Sequence, residues 1–193
     1  MEINIPLSNL QINKLTPNIG AEIIGNNVFE NLSSKICDEI YKYLIEYKVI
    51  FFRNQNISPT QHINFAKSFG EIEPPHPVYP HVTEFPEIVL LENDNKRPPD
   101  TDEWHTDLTF RSNPPFASIL YSKIIPEYGG DTLWSCLSSI YEALPIELKK
   151  YLKSLKAVHD MEPLEIIIQK MNQLALRISL MRDIKNLAIQ FIH

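Results

Sequence analysis

A histidine and a carboxylate two residues apart, His105 and Asp107, stand in the run Glu103-Trp104-His105-Thr106-Asp107-Leu108-Thr109-Phe110. The run is β-prone, and on a strand the side chains at i and i+2 leave the same face. An imidazole nitrogen and a carboxylate oxygen presented together suit a non-haem iron(II) site with open positions, which also needs a second histidine. His-x-Asp alone is a weak signal, because a strand histidine is more often a hydrogen-bonded structural residue than a ligand. Its context therefore matters more than its spacing.

The elements that must position this pair can be read in chain order. Leu10 to Leu15 alternates apolar and polar residues, Thr16-Pro17-Asn18-Ile19-Gly20 turns, and Ala21 to Ile24 resumes extended character, which predicts a β-hairpin or β-corner. Ser33 or Ser34 caps a helix to about Lys48, with Ile36, Ile40, Tyr43, Leu44 and Tyr47 on its core face. Val49 to Phe52 reads as a buried strand. Ser58-Pro59-Thr60-Gln61 opens a second helix with a cap, a first-turn proline and a glutamine three residues on, and Gly70 closes it.

Pro74-Pro75-His76-Pro77-Val78-Tyr79-Pro80-His81 is a stiff loop of the kind that carries binding residues on a scaffold. Strands are expected at Glu87–Leu91, at Ala117–Ile124 and, after the turn Gly129-Gly130-Asp131-Thr132, at Leu133-Trp134. Helical stretches follow at Leu137–Leu144 and Ile146–Leu155. From Leu164 onward neither glycine nor proline occurs. Leu164, Ile167, Met171, Leu174, Ile178 and Met181 recur at steps of three and four, which predicts one long amphipathic helix. Strands with a few packed helices give an α+β, mostly-β expectation.

The 193 residues fit one domain with a real core. With 44% apolar and 22% charged residues, disordered and fibrous classes drop out. A net charge of −6 without a basic block argues against nucleic acid or an anionic membrane as partner. No window reaches the roughly 18 apolar residues of a membrane span. Cys37 and Cys136 match no metal or disulfide spacing and read as buried thiols in a reducing, cytoplasmic setting.

The segment Leu15–Gly25, the loop His76-Pro77-Val78-Tyr79-Pro80-His81, Trp104 to Phe110, and Gly129-Gly130-Asp131-Thr132-Leu133-Trp134 together resemble the TauD/TfdA family of iron(II)- and 2-oxoglutarate-dependent dioxygenases, in its taurine-dioxygenase form. The resemblance runs from about Leu10 to Asp160. It implies a double-stranded β-helix, a cupin-like jelly roll, with flanking helices. It also implies hydroxylation next to a sulfonate, releasing sulfite and an aldehyde, as 2-oxoglutarate and O2 give succinate and CO2. His105 and Asp107 match two iron ligands, and Thr132 the threonine that bonds 2-oxoglutarate. His76 and Tyr79 match residues that contact the sulfonate. Thr101 stands where the taurine enzyme has an asparagine, and Leu108 replaces a smaller valine, so the substrate is a sulfonate or related anion.

Other residues have plainer readings. His62 and His81 read as solvent-facing or capping, and Trp104, Trp134, Phe110 and Phe116 as core or pocket wall. His159 matches a non-ligand position. After Asp160 the resemblance stops, without the distal histidine and arginine that complete the family's site. The expected organisation is residues 1–160 as the N-terminal part of a family domain and 161–193 as a divergent helical tail replacing the rest of the barrel. The alternatives are an inactive truncated remnant with weak or no metal binding, and an oligomer whose partner completes the site.

Overall fold

The computed structural model describes residues 10–159 except 26, 27, 31, 76–78, 95 and 97–103, together with the path of one strand at 187–192. The expected hairpin forms from β1 (Gln11–Lys14) and β2 (Ala21–Ile24), antiparallel, with Gln11 opposite Ile24 and Lys14 opposite Ala21. The Leu15 N–H donates to the Gly20 carbonyl at 3.0 Å, and Gly20 takes a φ of +88°, which a side chain would strain.

Ser33 caps helix α1 (Ser34–Tyr47) through its hydroxyl, which accepts from the Ile36 N–H at 3.3 Å. The helix buries Cys37, Ile40 and Leu44, a spacing of three and four. Lys48, at φ +69°, ends it with an N–H to the Leu44 carbonyl and turns the chain into β3 (Val49–Arg53). Helix α2 (Pro59–Lys67) begins with a complete capping box. The Ser58 hydroxyl accepts from Gln61 N–H at 3.2 Å, and the Gln61 side chain accepts from Ser58 N–H at 2.8 Å. From α2, Phe65 packs edge-on against Phe29 and Phe52, with ring centroids 4.8 and 6.2 Å apart.

Then follow β4 (His81–Val82), β5 (Phe85–Val89), β6 (Ala117–Tyr121), α3 (Leu137–Ala143), α4 (Ile146–Lys153) and β7 (Leu187–Ile192). The main sheet has the order β1-β2-β3-β7-β6, with every pair beyond the hairpin parallel; β4 and β5 form a separate antiparallel pair. β3 is apolar over Val49–Phe52, as a strand paired on both sides and packed on both faces should be. The chain is α+β, and its buried apolar residues all lie between Ala21 and Phe65 among the described residues.

Three expectations change. Residues 187–192, read as the end of a long helix, form a strand between β3 and β6; the run Leu-Ala-Ile-Gln-Phe-Ile is apolar and partly β-branched, and a slot between two strands rewards extension. The amphipathic stretch from Leu164 to Met181 lies outside the described residues. Leu133-Trp134 is irregular, because the double glycine turn at φ +75° and +72° delivers it to no described strand it could pair with. Cys136 is only half-buried. Burial acts to raise its thiol pKa, but hydrogen bonds from Ser139 and Ser138 and the charge of Lys48 bring it below the ordinary value.

Candidate metal centre and its surroundings

His105 and Asp107 are not on a strand. Trp104 to Thr106 is irregular and Asp107–Phe110 is a turn, closed by the Arg111 N–H donating to the Leu108 carbonyl at 3.1 Å. Leu108, at φ +52°, has left the extended region, and a β-prone run without a neighbouring strand has no ladder to hold it straight. The turn still brings the pair together. Nε2 of His105 lies 3.2 Å from Oδ1 of Asp107, with both side chains about half exposed (54% and 55%). Two bonds of about 2.0–2.2 Å to one metal ion at a right angle would set their donors roughly 3 Å apart. The pair therefore fits two adjacent positions of an iron(II) ion.

Among the described residues no group of three or more His, Cys, Asp or Glu side chains is placed to hold one metal ion. His159 reaches the same turn but is occupied differently: its Nδ1 is 3.0 Å from the Thr109 hydroxyl. His193 lies outside the described residues, as do the expected substrate residues His76 and Thr101. Tyr79 is half-buried just before β4, where the Leu90 N–H donates to the neighbouring Pro80 carbonyl at 2.8 Å. Leu108 is half-buried in the turn, and Thr132 is exposed in the irregular stretch before α3.

Trp104, expected in a core or pocket wall, is 70% exposed, whereas Phe116 stacks on Tyr41 at 5.3 Å and packs on the core as expected. His62 is neither solvent-facing nor capping. Its Nε2 is 3.3 Å from the Ile119 carbonyl, and burial lowers its pKa. A carbonyl only accepts, so Nε2 carries a hydrogen.

An unforeseen contact joins the loop to the turn: the Arg111 guanidinium forms an ion pair with Glu73, three residues before His76. The two residues stand far apart in sequence, and no spacing rule pairs them.

Among the described residues no helix is long and apolar enough to cross a membrane. A family model described as Taurine catabolism dioxygenase TauD, TfdA family matches residues 11–166. An alkylsulfatase of Acinetobacter baylyi is 40% identical over 163 residues, covering 83% of this chain and 50% of that protein. An alpha-ketoglutarate-dependent sulfate ester dioxygenase of Pseudomonas putida is 36% identical over 156 residues, covering 79% and 50%. The crystal structure of a taurine dioxygenase from Burkholderia xenovorans matches with a TM-score of 0.65 at 34% identity, over 80% of this chain and 54% of that one. This chain thus spans about half the length of the relatives it matches. A family match over most of the sequence makes this chain a member of the TauD/TfdA dioxygenase family.

Proposed function

We propose that the chain carries part of an iron(II)- and 2-oxoglutarate-dependent dioxygenase that oxidises carbon next to a sulfate ester or a sulfonate. The observation that carries this reading is the convergence of His105 Nε2 and Asp107 Oδ1 at 3.2 Å on an accessible turn. Its support is the naming of relatives as sulfate ester and sulfonate dioxygenases. Taurine itself is the narrower choice, since the relatives reported above are named an alkylsulfatase and a sulfate ester dioxygenase as well as a taurine dioxygenase.

In this reading His105 offers a neutral imidazole nitrogen and Asp107 a carboxylate oxygen to iron(II), which when bound supplies the oxidising chemistry. The Thr132 hydroxyl donates to 2-oxoglutarate. His76 and Tyr79 donate to the substrate's anionic head, while Thr101 and Leu108 bound the space for its carbon chain. The fold that would bring these together is a double-stranded β-helix, with residues 1–160 as its N-terminal part, working in the cytoplasm. Adding iron(II), ascorbate, 2-oxoglutarate and either a primary alkyl sulfate or taurine should yield succinate, with sulfate or sulfite released respectively. A folded, iron-loaded sample giving no succinate with either substrate would refute it.

Two observations favour a second reading, an inactive remnant: only two of the expected ligands converge among the described residues, and the chain spans half the length of the relatives reported above. Iron(II) binding weaker than millimolar with no turnover would establish that reading.

A further inference from the structure

The turn that converges His105 and Asp107 is not held by its own backbone preference. Leu108 stands inside it at φ +52°, a left-handed conformation that a leucine adopts at a cost and keeps only where its surroundings impose it. One backbone bond closes the turn, from the Arg111 N–H to the Leu108 carbonyl at 3.1 Å. The side chain of the same Arg111 leaves the turn and pairs with Glu73, on the irregular stretch between α2 and β4. The residue that closes the turn is thus also fastened to a separate segment of the chain. His159 reaches the turn as well, but at the Thr109 hydroxyl, and a bond to that side chain leaves the closing backbone bond free to open.

We infer that Arg111 is a positioning residue, whose ion pair with Glu73 keeps this turn closed and so holds His105 Nε2 and Asp107 Oδ1 together. It acts through the turn and not as a ligand. A guanidinium suits the task, because its planar fork engages a carboxylate with little freedom left to lose. Glu73 stands in the same loop as Tyr79 and shortly before it, so the pair also ties that loop to the metal turn. The use of that tie for substrate rests on the proposed function, whereas the clamp itself rests on geometry. Both side chains are about one-third exposed (35% and 36%), so water screens the pair and its effect is a few-fold one.

The test is nuclear magnetic resonance of the full, metal-free chain. In Glu73→Gln, hydrogen exchange at the Arg111 amide should quicken by roughly two- to fivefold. The Leu15 amide, which closes the turn of the first hairpin by donating to the Gly20 carbonyl, should keep its rate. The nuclear Overhauser contact between the His105 ring and the Asp107 β-protons should weaken in step. Arg111→Glu alone should weaken that contact too, and adding Glu73→Arg, which restores the pair with its charges exchanged, should recover it. An Arg111 amide indifferent to Glu73→Gln would overturn the inference. So would equal quickening at Leu15, which would mark a general loss of stability, or a charge exchange that recovers nothing. None of these readouts needs iron(II), so a chain that bound none would sink the proposed function and leave the clamp standing.

Discussion

Nε2 of His62, on α2, donates to the backbone carbonyl of Ile119 on β6 at 3.3 Å, fastening a helix of the N-terminal core to a strand paired by β7. Burial lowers the imidazole pKa, so the neutral ring is the native form. The unfolded ring titrates near 6.5. The contribution is thus present above about that pH. It is lost as pH falls through the lower folded value, since the unfolded chain then binds the proton first. His62→Gln, which keeps a donor but does not titrate, should lose less stability between pH 7.5 and 5 than the unaltered chain does. Equal acid losses in urea unfolding would dismiss this account.

Iron(II) affinity should depend on both members of the turn pair. His105→Ala or Asp107→Asn should each weaken binding by at least tenfold in anaerobic calorimetry, whereas His159→Ala should change it less than twofold, because His159 faces the Thr109 hydroxyl. A His159 effect as large as that of His105 would place the metal elsewhere.

The Tyr43 hydroxyl donates to Glu39 Oε1 at 2.7 Å, one helical turn away in α1. That bond, helped by burial, pushes the phenol up to about 12 from its ordinary 10. The contribution is complete below pH 10 and is lost as pH rises from 10 through 12. Tyr43→Phe should cost about 1 kcal/mol at neutral pH. It should also remove a tyrosine that titrates near 12 from an ultraviolet pH titration, and an unchanged titration curve would contradict the assignment.

Removing the cap of α2 should be measurable alone. Ser58→Ala removes the hydroxyl that accepts from the Gln61 N–H, leaving the Ser58 backbone bond to the Gln61 side chain, and should cost about 1 kcal/mol, seen as a lower urea midpoint. Ser58→Asp, which can still accept from the third amide, should recover most of it.

The Arg111–Glu73 pair joins two partly exposed side chains, so its coupling should be small. A double-mutant cycle with Arg111→Gln and Glu73→Gln should return roughly 0.2–1 kcal/mol at low salt, fading in 0.5 M sodium chloride. A larger, salt-insensitive value would mean that the pair is more sequestered than its exposure indicates.

What the sequence disclosed was whatever is decided locally. The capping box of α2 is written in Ser58 and Gln61, the first hairpin in the alternation before Thr16, and the stripe of α1 in Ile36, Ile40 and Leu44. The chemistry at His105 and Asp107 was legible as residue types, but its backbone was not. β-propensity describes fit to neighbouring strands, and the left-handed Leu108 replaced a strand with a turn that still converges the two donors. The strand at Leu187–Ile192 was hidden because a short apolar run looks alike in helix and strand; its partners, Val49–Arg53 and Ala117–Tyr121, decide the matter from a distance. His62 and Arg111 were likewise opaque, since their partners, the Ile119 carbonyl and Glu73, lie far along the chain.

The strand order has a consequence for synthesis. Among the described residues β6 has one strand neighbour, β7, so Ala117–Tyr121 finds no described strand partner until Leu187–Ile192 has left the ribosome. At ~5–20 residues per second the interval is roughly 3–13 s. The hairpin, α1, β3 and α2 can meanwhile collapse around Phe52 and Phe65, while the edge of β3 and the whole of β6 stand open to a neighbouring nascent chain. Slowed translation between these two strands should therefore lower soluble yield even though no residue has changed.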